Sequence, residues 1–144
     1  MRYLSLTSLI FCLFFTLLPA VHAADSHWPV EIYDVMDNQK LVIFLANEDI
    51  AESPQWQPAE GGPPVSIADA LEYAHSWIEQ EPQLKGAKVQ EIELKPVHEH
   101  KRENRWYYLL QLRSETDGKT TANYIAILFN GKVVPAIVEP ASIK

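Results

Sequence analysis

From Ser66 to Gln80 the chain reads SIADALEYAHSWIEQ. Ile67, Leu71, Ala74 and Ile78 fall on one narrow stripe at helical spacing, with Ala70 and Trp77 flanking it and Asp69, Glu72, Ser76 and Glu79 opposite. This periodicity predicts an amphipathic helix with one dry face and one wet face. Ser66 is placed to cap the free backbone N–H groups, and Asp69 three residues later completes a capping-box pattern. Pro82 biases Glu81 out of helical geometry. Both ends are thereby specified, and no other stretch of residues 24–144 predicts a helix as well. Leu71, central on the stripe, is expected to be a core leucine.

The remaining patterns alternate with period two. Val30–Val35 and Lys40–Ala46 read as two strands joined by Met36–Gln39. The second is apolar on both faces, as in a strand covered on both sides, although a short buried helix fits the same run. After the helix come four further strand patterns, Lys88–Leu94, Arg105–Arg113, Thr121–Phe129 and Lys132–Val138. Short turns between them favour an antiparallel meander. Asn130-Gly131 suits a two-residue type I′ hairpin, Asp117-Gly118 closes the preceding hairpin, and His98–Asn104 forms a longer charged loop.

Within Arg105–Arg113, Trp106, Tyr108, Leu110 and Leu112 share the face expected to meet the helix. Tyr107, Leu109, Gln111 and Arg113 share the other. Thr121–Phe129 is apolar on both faces, which marks it either as a central strand covered twice or as one wall of a binding surface. Pro135 cannot donate a ladder hydrogen bond, so the last strand is expected at an edge. The expected fold is α+β, one amphipathic helix packed on an antiparallel meander of four or more strands, with an N-terminal β-hairpin. Residues 47–65 carry Pro54, Pro58, Gly61, Gly62, Pro63 and Pro64 and read as a connector, which Trp56 is expected to pin to the body of the domain.

The N-terminus changes the picture of where this domain works. Arg2, an apolar run from Leu4 to Leu18, Pro19 and then Val21-His22-Ala23 form the pattern of a cleavable secretory signal over residues 1–23. The run is shorter than the ~18 residues a spanning helix needs. Residues 24–144 are then a single exported domain, secreted or periplasmic. The chain's one cysteine, Cys12, lies within the signal, so the exported part holds its fold by packing without a disulfide. The formal net charge is −7. Loss of Arg2 adds one unit of negative charge, which disfavours nucleic acid and anionic membrane surfaces as partners.

The run ALEYAHSWIEQ, KVQEIELKP, RWYYLLQLRS and TANYIAILFNGKVV resembles the PepSY-like domains of secreted and envelope proteins. There an alanine-bearing helix precedes a V-x-x-I-x-L strand, an aromatic strand and a last hairpin closing on a glycine turn. A cystatin-like arrangement of one helix on an antiparallel sheet is compatible with the same pattern. The PepSY resemblance implies restraint of peptidases or sensing in the envelope, and it brings no catalytic residues with it.

Candidate chemistry is sparse. His98 and His100 stand two residues apart and in extended geometry would offer two ligands to zinc or copper, with no third in evidence. Cleavage after Ala24 would make His27 the third residue of an amino-terminal copper or nickel site, whereas the expected cut after Ala23 makes it the fourth. Ser66 with His75, or Asp69 with Glu72, is better explained by capping and by the wet helix face. There is no phosphate-cradling glycine loop and no G-x-S-x-G elbow. Tyr107, in the aromatic run Trp106-Tyr107-Tyr108, is either part of a second core layer beneath the first hairpin or, with Ile125 and Ile127, a peptide or protein contact. The expected function is a non-catalytic extracytoplasmic binding or regulatory module, without a cofactor, that contacts an envelope protein or peptide. A metal-binding protein using His98 and His100 is the alternative, with a hydrolase behind it.

The mass of the intact exported protein is expected to correspond to a chain beginning at Ala24. A retained N-terminus would overturn the assignment of compartment.

Overall fold

The computed structural model describes residues 30–36, 39–98, 100, 103–116 and 118–139. The expected signal, His27, Glu99 and Asp117 lie outside the described residues. The fold is α+β, with strands β1 (Val30–Met36) and β2 (Gln39–Leu45), helices α1 (Asn47–Glu52) and α2 (Ile67–Gln80), then β3 (Lys88–Pro96), β4 (Trp106–Thr116), β5 (Lys119–Leu128), β6 (Val133–Pro135) and β7 (Ile137–Val138). Two antiparallel sheets result, a four-stranded meander in the order β3-β4-β5-β6 and a three-stranded sheet in the order β1-β2-β7.

The meander is the middle layer. On one face Tyr108, Leu110, Leu112, Ile125 and Ile127 form a core with Ala70, Ala74 and Ile78 of α2. On the other, Tyr107, Leu109, Ala126 and Leu128 form a second core with Ile43 and Leu45 of β2 and Ile50 of α1. Of the stretch Thr121–Phe129, the part Ile125–Phe129 is therefore covered twice, whereas Thr121 is exposed. The alternation of β4 sets this division, because a shift of register by one residue would exchange the two faces.

Helix α2 begins as the pattern predicts. Ser66 Oγ accepts from Asp69 N–H at 3.1 Å, and the Asp69 carboxylate accepts from Ser66 N–H at 3.0 Å. The Ser66 hydroxyl, donating to the Asp69 carboxylate, and after it the Ser66 N–H hold that carboxyl below its ordinary range. The helix ends at Glu81, whose backbone is extended at φ −103°, and Pro82–Leu84 follows as a 3-10 turn. Its buried stripe is rotated from the expected one: Ala70, Ala74 and Ile78 are buried, Leu71 is half-buried, and Ile67 is 55 % exposed. The alanines bring the helix backbone close to the bulky sheet residues beneath it. Successive helix positions differ by only about 100°, so periodicity alone leaves the contact line uncertain by one residue.

Three other expectations change. The connector 47–65 contains α1 and a 3-10 turn at Pro58–Glu60. Six residues give too little periodicity to register, and α1 depends on Ile50, which is fully buried against β4 and β5. The strand expected over Lys132–Val138 divides at Ala136, which still donates to Tyr124 O at 2.8 Å, and the chain passes from the edge of one sheet to the edge of the other. The last hairpin is a three-residue loop rather than a type I′ turn. Gly131 has φ +84° whereas Asn130 does not adopt positive φ, and Gly131 N–H donates to Leu128 O at 2.8 Å. The Tyr73 ring lies 3.2 Å from where a Cβ on Gly131 would stand, so this glycine is required both for its backbone angle and for the close approach of α2.

Trp56 is buried. Its ring meets Trp106 and Phe129 edge-on, with centroids 5.4 and 6.0 Å away, while its indole N–H donates to Gly61 O at 3.2 Å.

In urea melts, Ile78→Ala is expected to lose roughly 2–5 kcal/mol, Leu71→Ala clearly less, and Ile67→Ala no more than about 0.5 kcal/mol. Equal losses at Ile78 and Ile67 would contradict the observed helix orientation.

Candidate functional site

The sequence-predicted binding residues are not brought together. Tyr107 is 3 % exposed beneath the β1–β2 hairpin, while Ile125 and Ile127 are fully buried on the opposite face of the meander under α2. The register Tyr107↔Leu128 and Tyr108↔Ile127 requires this separation. The side chains proposed as one contact surface are therefore core on two sides, because the hairpin and the helix each found an apolar face to cover.

His98 is exposed. His100 is half-buried, with Nδ1 at 3.2 Å from Glu103 Oε1 in a geometry that makes no hydrogen bond, and Nε2 at 3.4 Å from Asn47 Oδ1. Among the described residues no three His, Cys, Asp or Glu side chains are grouped to hold a metal ion. Ser66 Oγ is engaged with Asp69, donating to its carboxylate at 2.7 Å, and His75 is exposed on the helix. Among the described residues no helix is long and apolar enough to cross a membrane.

A concave surface lies beyond the C-terminal end of α2. There the helix-facing positions of the meander change character: Leu112 is paired with Asn123, and Ser114 with Thr121. Together with Leu112 of the helix-side core, Asn123, Ser114 and Thr121 line a groove of about 430 Å³. Gln83, Leu84 and Ala87, which follow α2, wall one side, and Ala136, Ile137 and Val138 wall the other. Leu84 and Leu112 are buried, whereas Ile137 and Val138 are 51 % and 52 % exposed. Asn123 Oδ1 accepts from Tyr124 N–H at 2.8 Å, which orients its side-chain amide from within its own strand.

This groove combines an apolar rim with a few polar side chains of small size, the composition of a site for an uncharged or extended ligand segment. Sequence reading missed it. The available signal is the change from Leu110-x-Leu112 to Ser114 opposite Thr121-x-Asn123, a loss of apolar character on one sheet face where the preceding helix has already ended. No family model matches the chain, and neither the curated proteins nor the solved structures contain a match to it.

Burial pushes the Tyr107 hydroxyl up to about 12, with the Glu93 carboxylate adding to the rise. Burial, followed by Asp69, pushes Tyr108 in the same direction. An unfolded tyrosine releases its proton near pH ~10, so between ~10 and ~12 the native state retains a proton that the unfolded state has lost. The stabilisation is complete below ~10 and is lost as the pH rises through ~12. The urea midpoint is expected to fall over that interval, and the fall should be shallower in Tyr107→Phe. Identical pH profiles for the two proteins would contradict the burial argument.

Proposed function

We propose that the chain is an exported, non-catalytic binding module that engages a protein or peptide partner through the groove beyond α2. The observation that carries this reading is the pair Ile137 and Val138, more than half exposed at the rim of a groove whose floor and opposite wall include the buried Leu112 and Leu84. Large apolar side chains that stay in water beside a concave, partly apolar surface gain free energy when a ligand covers them. An extended segment lying along the groove would place alternate side chains against the rim and leave the others free, as in peptide recognition beside a sheet.

Export rests on the pattern of residues 1–23. The helix followed by an antiparallel meander with a glycine in its last turn is what supports the PepSY-like reading, under which the partner would be an envelope protein such as a peptidase.

Random octapeptides passed over the immobilised domain are expected to be retained by the parent protein and by Ile67→Asp, and lost with the double variant Ile137→Asp and Val138→Asp. Ile67 is as exposed as the other two but lies at the opposite end of α2, so it controls for general surface apolarity. Retention unchanged in the double variant would refute this location for the site.

A further inference from the structure

Strand β6 covers only part of the edge of β5. Ile125, Ala126 and Ile127 of β5 pair with Pro135, Val134 and Val133. One further bond follows, Ala136 N–H donating to Tyr124 O at 2.8 Å, and the chain then leaves to pair Ile137 with Val42 and Val138 with Leu41 of β2. The β5–β4 ladder, by contrast, continues without a bulge to Lys119. Among the described residues, Lys119–Asn123 therefore has β4 on one side and no strand on the other.

Successive residues of an antiparallel strand turn their N–H and C=O groups to opposite neighbours. Tyr124 O accepts from Ala136 and Leu128 N–H donates to Lys132 O, so the even-numbered residues of β5 address the β6 side. By the same alternation Thr120 and Ala122 direct their main-chain groups to that side, past the point where β6 has left. Thr121 and Asn123 direct theirs to β4. Tyr124 N–H, the last donor before the gap, is capped by Asn123 Oδ1 at 2.8 Å. Thr120 and Ala122 have no such cap among the described residues. Open strand edges are ordinarily guarded by charge, proline or a bulge, and β3 shows two of these in its bulge between Val89 and Glu91 and its exposed Lys88, Glu91 and Glu93. Between Thr120 and Asn123 the register is unbroken and the side chains are small and uncharged. This unguarded edge borders the groove: Thr121, Ala122 and Asn123 line it together with Ile137 and Val138.

We infer that the ligand of the groove is an extended peptide that adds to the meander as a strand beside Thr120–Asn123, antiparallel to β5, in the place a longer β6 would have taken. This rests on the groove reading above and adds the mode of recognition, which is through main chain first and side chains second. A ligand residue opposite Thr120 or Ala122 exchanges a pair of hydrogen bonds with it. Its side chain lies on the hairpin side of the meander. Val138 faces that side, because it pairs with Leu41, which shares a strand face with Ile43 and Leu45 of the second core. The ligand residue opposite Thr121 turns the other way, towards the side of Leu84 and Leu112. The ligand is accordingly a segment with an apolar residue opposite Ala122 and no proline at the positions that bond to β5.

The test takes an octapeptide that the parent domain retains from a random library and replaces its amide hydrogens by methyl groups, one at a time. Binding is expected to weaken roughly tenfold or more at every second central position and to change little at the positions between, where the methyl group points away from β5. In hydrogen exchange of the free domain, the Thr120 and Ala122 amides should exchange fast and those of Thr121 and Asn123 slowly. The peptide should slow the first two. Ala122→Pro removes an outward donor and no bond to β4, so it should abolish binding with a urea midpoint close to the parent's. Should that variant fold poorly, the methyl scan and the exchange rates decide, since both use the parent chain. A scan without alternation, or exchange at Thr120 and Ala122 that the peptide leaves unchanged, overturns strand addition and leaves the groove reading intact. A parent that sediments as a dimer, with Ala122→Pro a monomer, gives the edge to a second copy and overturns the peptide. Retention of no peptide overturns both readings.

Discussion

The structure depends on one constraint: the β4–β5 pair is apolar on both faces and has to be covered twice. Tyr108, Leu110, Leu112, Ile125 and Ile127 project to one side and Tyr107, Leu109, Ala126 and Leu128 to the other. Neither set can face water without forfeiting the burial that drives folding. Helix α2 meets the first requirement and the β1–β2 hairpin, braced by Ile50 of α1, meets the second. The two short strands at the end of the chain follow from this division. β6 pairs beside β5 and β7 pairs beside β2, so the final residues tie the hairpin sheet to the meander without adding a third core.

The covers do not reach the whole length of the meander. Helix α2 stops at Gln80, and the hairpin's partners on β4 and β5 end near Leu109 and Tyr124, whereas β4 runs on to Thr116. Where they end, the side chains change to Ser114, Thr121 and Asn123 on one face and to Arg113 and Glu115 on the other. Most of the molecule is closed by packing, while this end keeps an apolar rim and small polar side chains together. A binding role placed there requires no rearrangement of either core.

The loops hold this frame with contacts of modest individual strength. Trp56 ties the connector to the helix-side core through Trp106 and Phe129, and Tyr108 O–H donates to Val65 O at 2.9 Å, anchoring the residue just before the α2 cap. Asp49 and Lys132 join α1 to the last turn of the meander. Edge strand β3 carries a bulge between Val89 and Glu91 and exposes Lys88, Glu91 and Glu93. Both features discourage unplanned strand pairing along that edge.

The amino-acid sequence by itself determined what depends on neighbours along the chain. Capping by Ser66 and Asp69, termination before Pro82, the two-faced alternation of Trp106–Arg113 and the edge position of the strand bearing Pro135 were all legible, because each follows from local backbone geometry or from period-two side-chain placement. Only the tertiary structure decided which apolar faces remain open. Tyr107, Ile125 and Ile127 look in sequence like side chains available to a partner, and whether they are core or surface depends on the β1–β2 hairpin and on α2, which lie far from them along the chain. The groove escaped notice for the converse reason: Leu84, Ser114, Asn123, Ile137 and Val138 are unremarkable where they stand in the chain. They acquire meaning because α2 ends where it does and β7 crosses to the other sheet. The open edge at Thr120 and Ala122 is likewise a product of strand pairing, a long-range event on which local patterning is silent.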